Sequence, residues 1–261
     1  MLIYLPPSEG KTPPRAADAA APLDLESLVF PELRAERERV IEALIAVSQS
    51  PQAQKTLKVG ASVMDEVQAN LAVRSGPTAP AHELYTGVLF NALDAAGMDE
   101  AARERARRCV LIFSGLFGVT GFDDLLPTHR LSMGVTLAPS GQPGAPGRLS
   151  TFWRGAMGSV LDEHCAEELI VDCRSSTYAT VHRPQPEQTL VVNNLTDADG
   201  RRTVVTHFAK HARGTLAGML LRAEREPETI EDVAEIASAQ WAVELRPAQG
   251  RTPHQLDLIT V

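Results

Sequence analysis

The 261-residue chain has only three cysteines, Cys109, Cys165 and Cys173, and no two of them stand at C-x-x-C spacing. Such a set argues against a disulfide framework and against a thiolate-built zinc site, leaving buried free thiols as the reading. No apolar run approaches the roughly 18–20 residues that span a bilayer. Met1-Leu2-Ile3-Tyr4-Leu5-Pro6 has neither the basic start nor the long apolar stretch of a secretion signal, so a cytoplasmic location without membrane association is expected. Positive charge is also scarce: 25 Lys and Arg against 33 Asp and Glu leave a formal net charge of −8 and a pI near 5.4. Sequence-independent coating of nucleic acid draws its affinity from many cation–phosphate contacts. A polyanion would therefore have to meet a local basic cluster on an acidic body.

Several catalytic signatures are missing as well. Gly10-Lys11-Thr12 lacks the first glycine of a phosphate loop, and Ser114 lacks the G-x-S-x-G elbow of a hydrolase. His207 and His211 are four apart, but Phe208 stands where a zinc-protease helix needs glutamate. No metal and no cofactor is expected, and the scattered histidines argue against direct iron handling.

What is present is the composition of a globular protein, 44% hydrophobic and 22% charged, in a chain long enough to bury a large core. Met1 to Leu5 reads as a buried strand stopped by Pro6-Pro7, with Lys11 in the polar loop beyond it. Ligands of α/β proteins gather at such strand ends. Pro31 to Val47 has helical spacing in Leu33, Val40, Ile41, Leu44 and Ile45, and its charged residues, Arg37 among them, read as a solvated face. Leu57-Lys58-Val59-Gly60 followed by Met64, Val67 and Leu71 partly matches a helix-hairpin-helix, whose turn offers N–H groups to phosphate. A charged helix over Asp99 to Arg108 gathers four arginines toward its C-terminal half, where they complement the helix dipole.

The most informative stretch runs from Leu111 to Leu131. An apolar strand breaks at Ser114 into Gly115, Gly118 and Gly121, then meets Asp123-Asp124 and His129-Arg130. The glycines mark a tight loop that lets a ligand approach the chain. Asp123 and Asp124 read as caps of a helix beginning at Leu125, with a base or metal ligand as the alternative. Beyond the Pro- and Gly-rich excursion 138–147 come a helix over Ser150 to His164, a strand at Leu169 to Asp172 and the turn Arg174-Ser175-Ser176-Thr177. That turn could hold phosphate or carboxylate, or cap a helix. Strands at Thr189 to Asn193 and Thr203 to Phe208 flank a hairpin turn at Asp197 to Gly200, and the second leads into Lys210, His211 and Arg213 at the start of a helix. A helix N-terminus carrying basic side chains attracts anions. Without repeats or a clear linker, the chain reads as one mixed α/β (α+β) domain over residues 1–261.

Ser114-Gly115-Leu116-Phe117-Gly118, Leu126-Pro127-Thr128-His129-Arg130-Leu131-Ser132-Met133, Phe152-Trp153 and Lys210-His211-Ala212-Arg213-Gly214 together resemble the YaaA family of peroxide-stress proteins. Tyr85-Thr86-Gly87 and the early Lys11 fit the same pattern, so the resemblance covers nearly the whole chain. It implies a curved mixed sheet wrapped by helices, with a helix-hairpin-helix-like element and a positively charged cleft. It also implies a cytoplasmic protein made under hydrogen peroxide stress that limits iron-driven damage and binds DNA or another phosphate-bearing ligand. Lys11, Arg130, Lys210 and Arg213 are the residues this carry-over puts in the cleft, and Arg174 joins them from the turn after its strand. An enzyme acting on a nucleotide or nucleobase in the same cleft is the competing expectation, with Lys11 as nucleophile or acid and His129 as proton carrier. The chain departs from the family pattern in its longer Pro6 to Lys11 loop, in Asp172-Cys173-Arg174-Ser175, and in His129 and His211.

Overall fold

The structure, a computed structural model, describes residues 1–14, 21–138, 144–198, 201–204 and 206–260. The chain opens with β1 (Leu2–Leu5), α1 (Arg34–Gln49), α2 (Ala53–Leu57) and α3 (Met64–Gln68). Next come β2 (Thr78–Pro80), α4 (Ala81–Leu84), α5 (Val88–Leu93), α6 (Glu100–Cys109), β3 (Val110–Ser114), β4 (Gly118–Gly121) and β5 (Leu125–Pro127). The middle of the chain holds β6 (Thr136–Leu137), β7 (Gly147–Arg148), α7 (Leu149–His164), β8 (Ile170–Asp172) and α8 (Ser176–Ala179). It ends with β9 (Thr189–Ala198), β10 (Arg201–Val204), α9 (Thr206–Arg222), α10 (Ile230–Ser238), β11 (Ala242–Arg246) and β12 (His254–Thr260).

Eight strands form one mixed sheet in the order β11-β12-β9-β8-β1-β3-β4, with β10 paired to β9. β3, β1, β8, β9 and β12 run parallel, and β4 and β11 close the ends antiparallel. Every residue of β1, β3 and β8 is buried. Strands covered on both faces need apolar side chains throughout, which is why these segments are unbroken hydrophobic runs rather than alternating ones. From β1 the chain passes to β3 on one side, and later to β8 on the other. The strand order thus reverses at β1, and open α/β sheets receive ligands beyond the strand ends at such a point.

α5 and α6 pack against α9, and α6 also meets β1 and β3. Gly214 makes the α5–α9 contact possible, since a Cβ there would fall on the Leu89 carbonyl oxygen. No helix among the described residues is long and apolar enough to cross a membrane.

Three expectations need correction. Arg37 is not on a solvated face: it is fully buried and donates to the carbonyls of Phe117, Phe30, Val29 and Val119 at 2.7–3.2 Å. Leu125 starts a strand, β5, paired with β2, and not a helix. Asp124 instead accepts from the N–H groups of Gly121 (2.9 Å) and Val29 (3.2 Å), tying the β4–β5 connection to the segment before α1. The helix carrying Lys210 starts at Thr206, within the segment expected to be a strand. Parts of the excursion 138–147 and of the Asp197–Gly200 turn lie outside the described residues, but Arg201 pairs with Ala198 as a hairpin requires. Of the α6 arginines, Arg105 donates to the carbonyls of Leu220, Leu221 and Ala223 at the end of α9, and Arg107 and Arg108 pair with carboxylates.

Candidate functional site

Pro6 and Pro7 end β1, and the loop that follows is held against the α4–α5 connection. Lys11 bridges Tyr85, the Thr12 N–H donates to the Leu84 carbonyl at 3.0 Å, and the Thr86 N–H to the Gly10 carbonyl at 3.3 Å. Gly87 has φ +118°, and a Cβ there would sit 2.9 Å from Ser8 Oγ, so this contact demands glycine. The half-buried Lys11 donates from Nζ to the Ser8 carbonyl at 3.1 Å and lies 5.2 Å from the Tyr85 ring centre. Burial lowers its pKa to about 8; Glu9 and Glu66 oppose the shift, and Arg130 adds to it.

Arg130 stands beside this lysine because Asn70 grips its peptide. The Arg130 N–H donates to Asn70 Oδ1 at 2.7 Å, and Asn70 Nδ2 donates back to the Arg130 carbonyl at 3.1 Å. The guanidinium donates from Nη1 to Glu66 (2.7 Å) and to the Glu9 carbonyl (3.2 Å), and Nε has the Glu9 carboxylate 3.5 Å away without a hydrogen bond. Both carboxylate side chains are about half exposed, 50% for Glu9 and 48% for Glu66. Ion pairs of that kind contribute roughly 0–1 kcal/mol, so an incoming anion can displace them at little cost.

His129 is buried, with Nδ1 2.9 Å from the Pro127 carbonyl and its ring edge-on to Phe117 and Tyr85. Burial, with the nearby Lys11 charge, holds its pKa well below the usual imidazole value. The ring is neutral at pH 7. A carbonyl only accepts, so the proton sits on Nδ1 and Nε2 keeps its lone pair. The buried Tyr85 hydroxyl lies beside Ser114 without a hydrogen bond, and burial pushes its pKa up. Ser114 Oγ is occupied by the N–H groups of Leu116 and Phe117. Tyr178 accepts from the Met133 N–H, and burial raises its pKa to about 12. A cavity of about 340 Å³ opens next to Arg130, lined also by Glu9, Lys58, Ser132 and Gly134.

The other three basic candidates lie apart from this group. Arg174 folds back over its own strand, with Nε and Nη2 on the Asp172 carboxylate at 2.9 and 2.7 Å and its plane over the rings of Phe113 and Tyr4. Its Nη2 also reaches the His182 carbonyl at 2.9 Å, while Nη1 is buried without a partner. Arg213 donates from Nε and Nη2 to the Val192 carbonyl and acts electrostatically on Asp172. Burial alone would raise the Asp172 carboxyl pKa, but Arg174 outweighs it and Arg213 adds, so the carboxyl ionises below its usual range. Lys210 is exposed on α9. Phe113 and Ser114 are successive strand residues and point to opposite faces. Arg174, stacked on Phe113, and Tyr85, beside Ser114, are therefore separated by the sheet. On the α9 side, Gly87 touches Ser8 and Leu89 touches Gly214, so one short segment of α5 connects the Lys11 loop to the helix carrying Lys210 and Arg213.

Glu9, Glu66, Asn70, Tyr178 and Asp172 belong to these surroundings without having stood out as candidates in the sequence. A carboxylate two residues before Arg174 was a usable signal for the last. Asn70 carried none, because its partners lie far along the chain.

A family model described as peroxide stress protein YaaA matches residues 1–246. A UPF0246 protein of Streptomyces coelicolor is 38% identical over 266 residues, covering 99% of this chain and 98% of the relative. One from Corynebacterium efficiens is 41% identical over 255 residues, covering 97% and 98%. A UPF0246 protein of Cereibacter sphaeroides is 32% identical over 170 residues, 63% of this chain and 64% of its own. The match takes in the Lys11 loop, the Ser114 to Met133 block and the α9 block alike, and on it the chain belongs to the YaaA family of peroxide stress proteins.

Proposed function

We propose that this protein acts in the cytoplasm during peroxide stress by holding a phosphate-bearing ligand, DNA or a smaller molecule, at Lys11 and Arg130, and so limits iron-driven damage. One observation carries the reading: two cations from distant parts of the chain stand side by side where the sheet order reverses, with only weakly held carboxylates as counterions. Nothing in the fold itself requires two like charges to be neighbours, and their repulsion is relieved by an anion. Lys210 and Arg213 lie apart from this pair on α9, connected to its loop through α5, and would be further contacts for a longer ligand. Helices α2 and α3, joined through Lys58 to Gly60, are the candidate helix-hairpin-helix contact to a nucleic-acid backbone.

Phosphate contacts position a duplex without reading its sequence, so bent or damaged DNA shape would be favoured. The test is a salt titration of binding to bent and straight duplexes. Affinity should fall with salt, and Arg130→Met should weaken binding and flatten the slope. Binding that ignores salt, or survives Arg130→Met together with Lys210→Ala and Arg213→Ala, rules the reading out.

An enzyme in the same crevice is the second reading, and the lowered Lys11 pKa beside a neutral His129 favours it. An amine that is partly neutral at pH 7 and an imidazole with a free nitrogen suit proton transfer or nucleophilic attack on a nucleotide or related compound.

A further inference from the structure

An anion receptor gains nothing from a lysine that gives up its proton readily, yet the Lys11 site works in that direction. Its Nζ has no carboxylate within ion-pair distance among the described residues; it meets one carbonyl, one aromatic face and the field of Arg130. His129 lies within electrostatic reach, with its proton fixed on Nδ1 by the Pro127 carbonyl. The cavity beside Arg130 is at the small end of ligand pockets, which run from about 300 to 1,000 Å³. Arg130 and Glu9 line this space, and Lys11 donates to the Ser8 carbonyl while Arg130 donates to the Glu9 carbonyl next to it, so a cation for an anionic end and an amine are held by consecutive residues of one loop beside a space suited to a compound of a few carbons.

We infer that Lys11 forms a reversible imine with a small phosphate-bearing aldehyde whose phosphate is held by Arg130. This rests on the anion receptor proposed above and names the chemistry of its ligand. The uncharged Nζ attacks the carbonyl carbon; a C–N bond forms as the C=O pair moves to oxygen, which takes up a proton from solvent. His129 Nε2 accepts the surplus proton from the carbinolamine nitrogen. It then returns a proton to the departing hydroxyl, which leaves as water as the C=N bond forms. Amine plus aldehyde plus that proton gives the protonated imine plus water, with no oxidant or reductant, and hydrolysis reverses the sequence.

The chain supplies its own controls, because it has only four lysines and the other three, Lys55, Lys58 and Lys210, are exposed. The full-length protein is treated with glyceraldehyde 3-phosphate and cyanoborohydride, and each lysine peptide is followed by mass spectrometry. Lys11 should be reduced to a stable adduct at least tenfold faster than Lys55 or Lys210 at pH 7.5, with a rate that rises through a midpoint near pH 8. Unphosphorylated glyceraldehyde should show no such preference, glycerol 3-phosphate should slow the Lys11 reaction, and Lys11→Arg should abolish the fast site. Arg130→Met should bring Lys11 down to the rate of the controls; if that variant does not fold, the comparison of the two aldehydes on the unaltered protein tests the same point. Equal labelling of all four lysines, or a Lys11 rate indifferent to the phosphate, overturns the inference. Calorimetric binding of glycerol 3-phosphate separates the two levels. Binding without preferential Lys11 labelling sinks the imine and leaves the receptor standing, whereas loss of both sinks both.

Discussion

Asn70 holds the Arg130 peptide from both sides, accepting from its N–H at 2.7 Å and donating to its carbonyl at 3.1 Å, as a neighbouring strand would. A third bond, from Nδ2 to Ser48 Oγ at 3.0 Å, anchors the amide to α1. The orientation of Arg130 thus depends on a buried side chain that never touches the crevice.

Asn70→Ala leaves both groups of the Arg130 peptide without this partner. Unsatisfied buried polar groups cost about 1–3 kcal/mol each, so urea unfolding should show a loss of roughly 2–4 kcal/mol. Phosphate affinity should fall in the same variant although no ligand contact has been removed. A variant of unchanged stability and affinity would show that the grip is dispensable.

Glycines on two helices should respond with opposite sign to the same change. At Gly214 an added methyl meets backbone, the Leu89 carbonyl, and the α5–α9 contact must open, so Gly214→Ala should lower stability by about 1–3 kcal/mol. At Gly158 of α7 an added methyl meets nothing within 4 Å, and Gly158→Ala should raise stability by about 0.5–1 kcal/mol through helix propensity alone. Thermal melting of both variants checks the pair.

Arg37 is the strut of the glycine loop. Its guanidinium spans carbonyls on both sides of β4's start and of the segment before α1, and burial lowers its pKa to about 10. Arg37→Met should cost roughly 3–5 kcal/mol, the range for stranding buried polar partners. Arg37→Lys should recover only part of it, because an ammonium cannot reproduce a planar fork. Hydrogen exchange at Phe117 to Val119 should accelerate in both.

Lys11 makes stability depend on pH on the alkaline side. Its folded pKa, about 8, lies below the unfolded value, near 10.5, so between these limits the unfolded chain binds more protons and stability rises with pH. The contribution is unfavourable below pH 8 and fades toward pH 10.5. Lys11→Met should be relatively more stable at pH 7, and its difference from the unaltered protein should shrink across that window. A difference curve flat from pH 7 to 10 would mean that the amine is solvated.

Parts of this architecture are visible before folding. Buried parallel strands leave a local mark, since both faces require apolar residues; Leu2 to Leu5, Val110 to Ser114 and Ile170 to Asp172 are legible on that ground. Lys11 and Arg130 are legible because each follows an apolar or glycine-rich block. Arg37 defies the solvated-face reading although the spacing holds a signal: it is four residues after Leu33 and three before Val40, on the apolar stripe of α1. The helix expected at Leu125 fails for a different reason. Local capping chemistry favours it, but pairing with Thr78 to Pro80 prevails, and no short window of sequence contains that partner.

Composition and pattern alone determine that this is a mixed α/β chain with apolar central strands, no thiol framework and a deficit of positive charge, because those properties depend on residue type and near neighbours. Which cations meet is decided only by the tertiary structure. Lys11 and Arg130 become neighbours through β1, Tyr85 and Asn70, while Arg174 turns to Asp172 and Arg213 to the Val192 carbonyl. Electrostatic interaction depends on distance and on the water excluded between charges, and both are set by segments far apart in the chain.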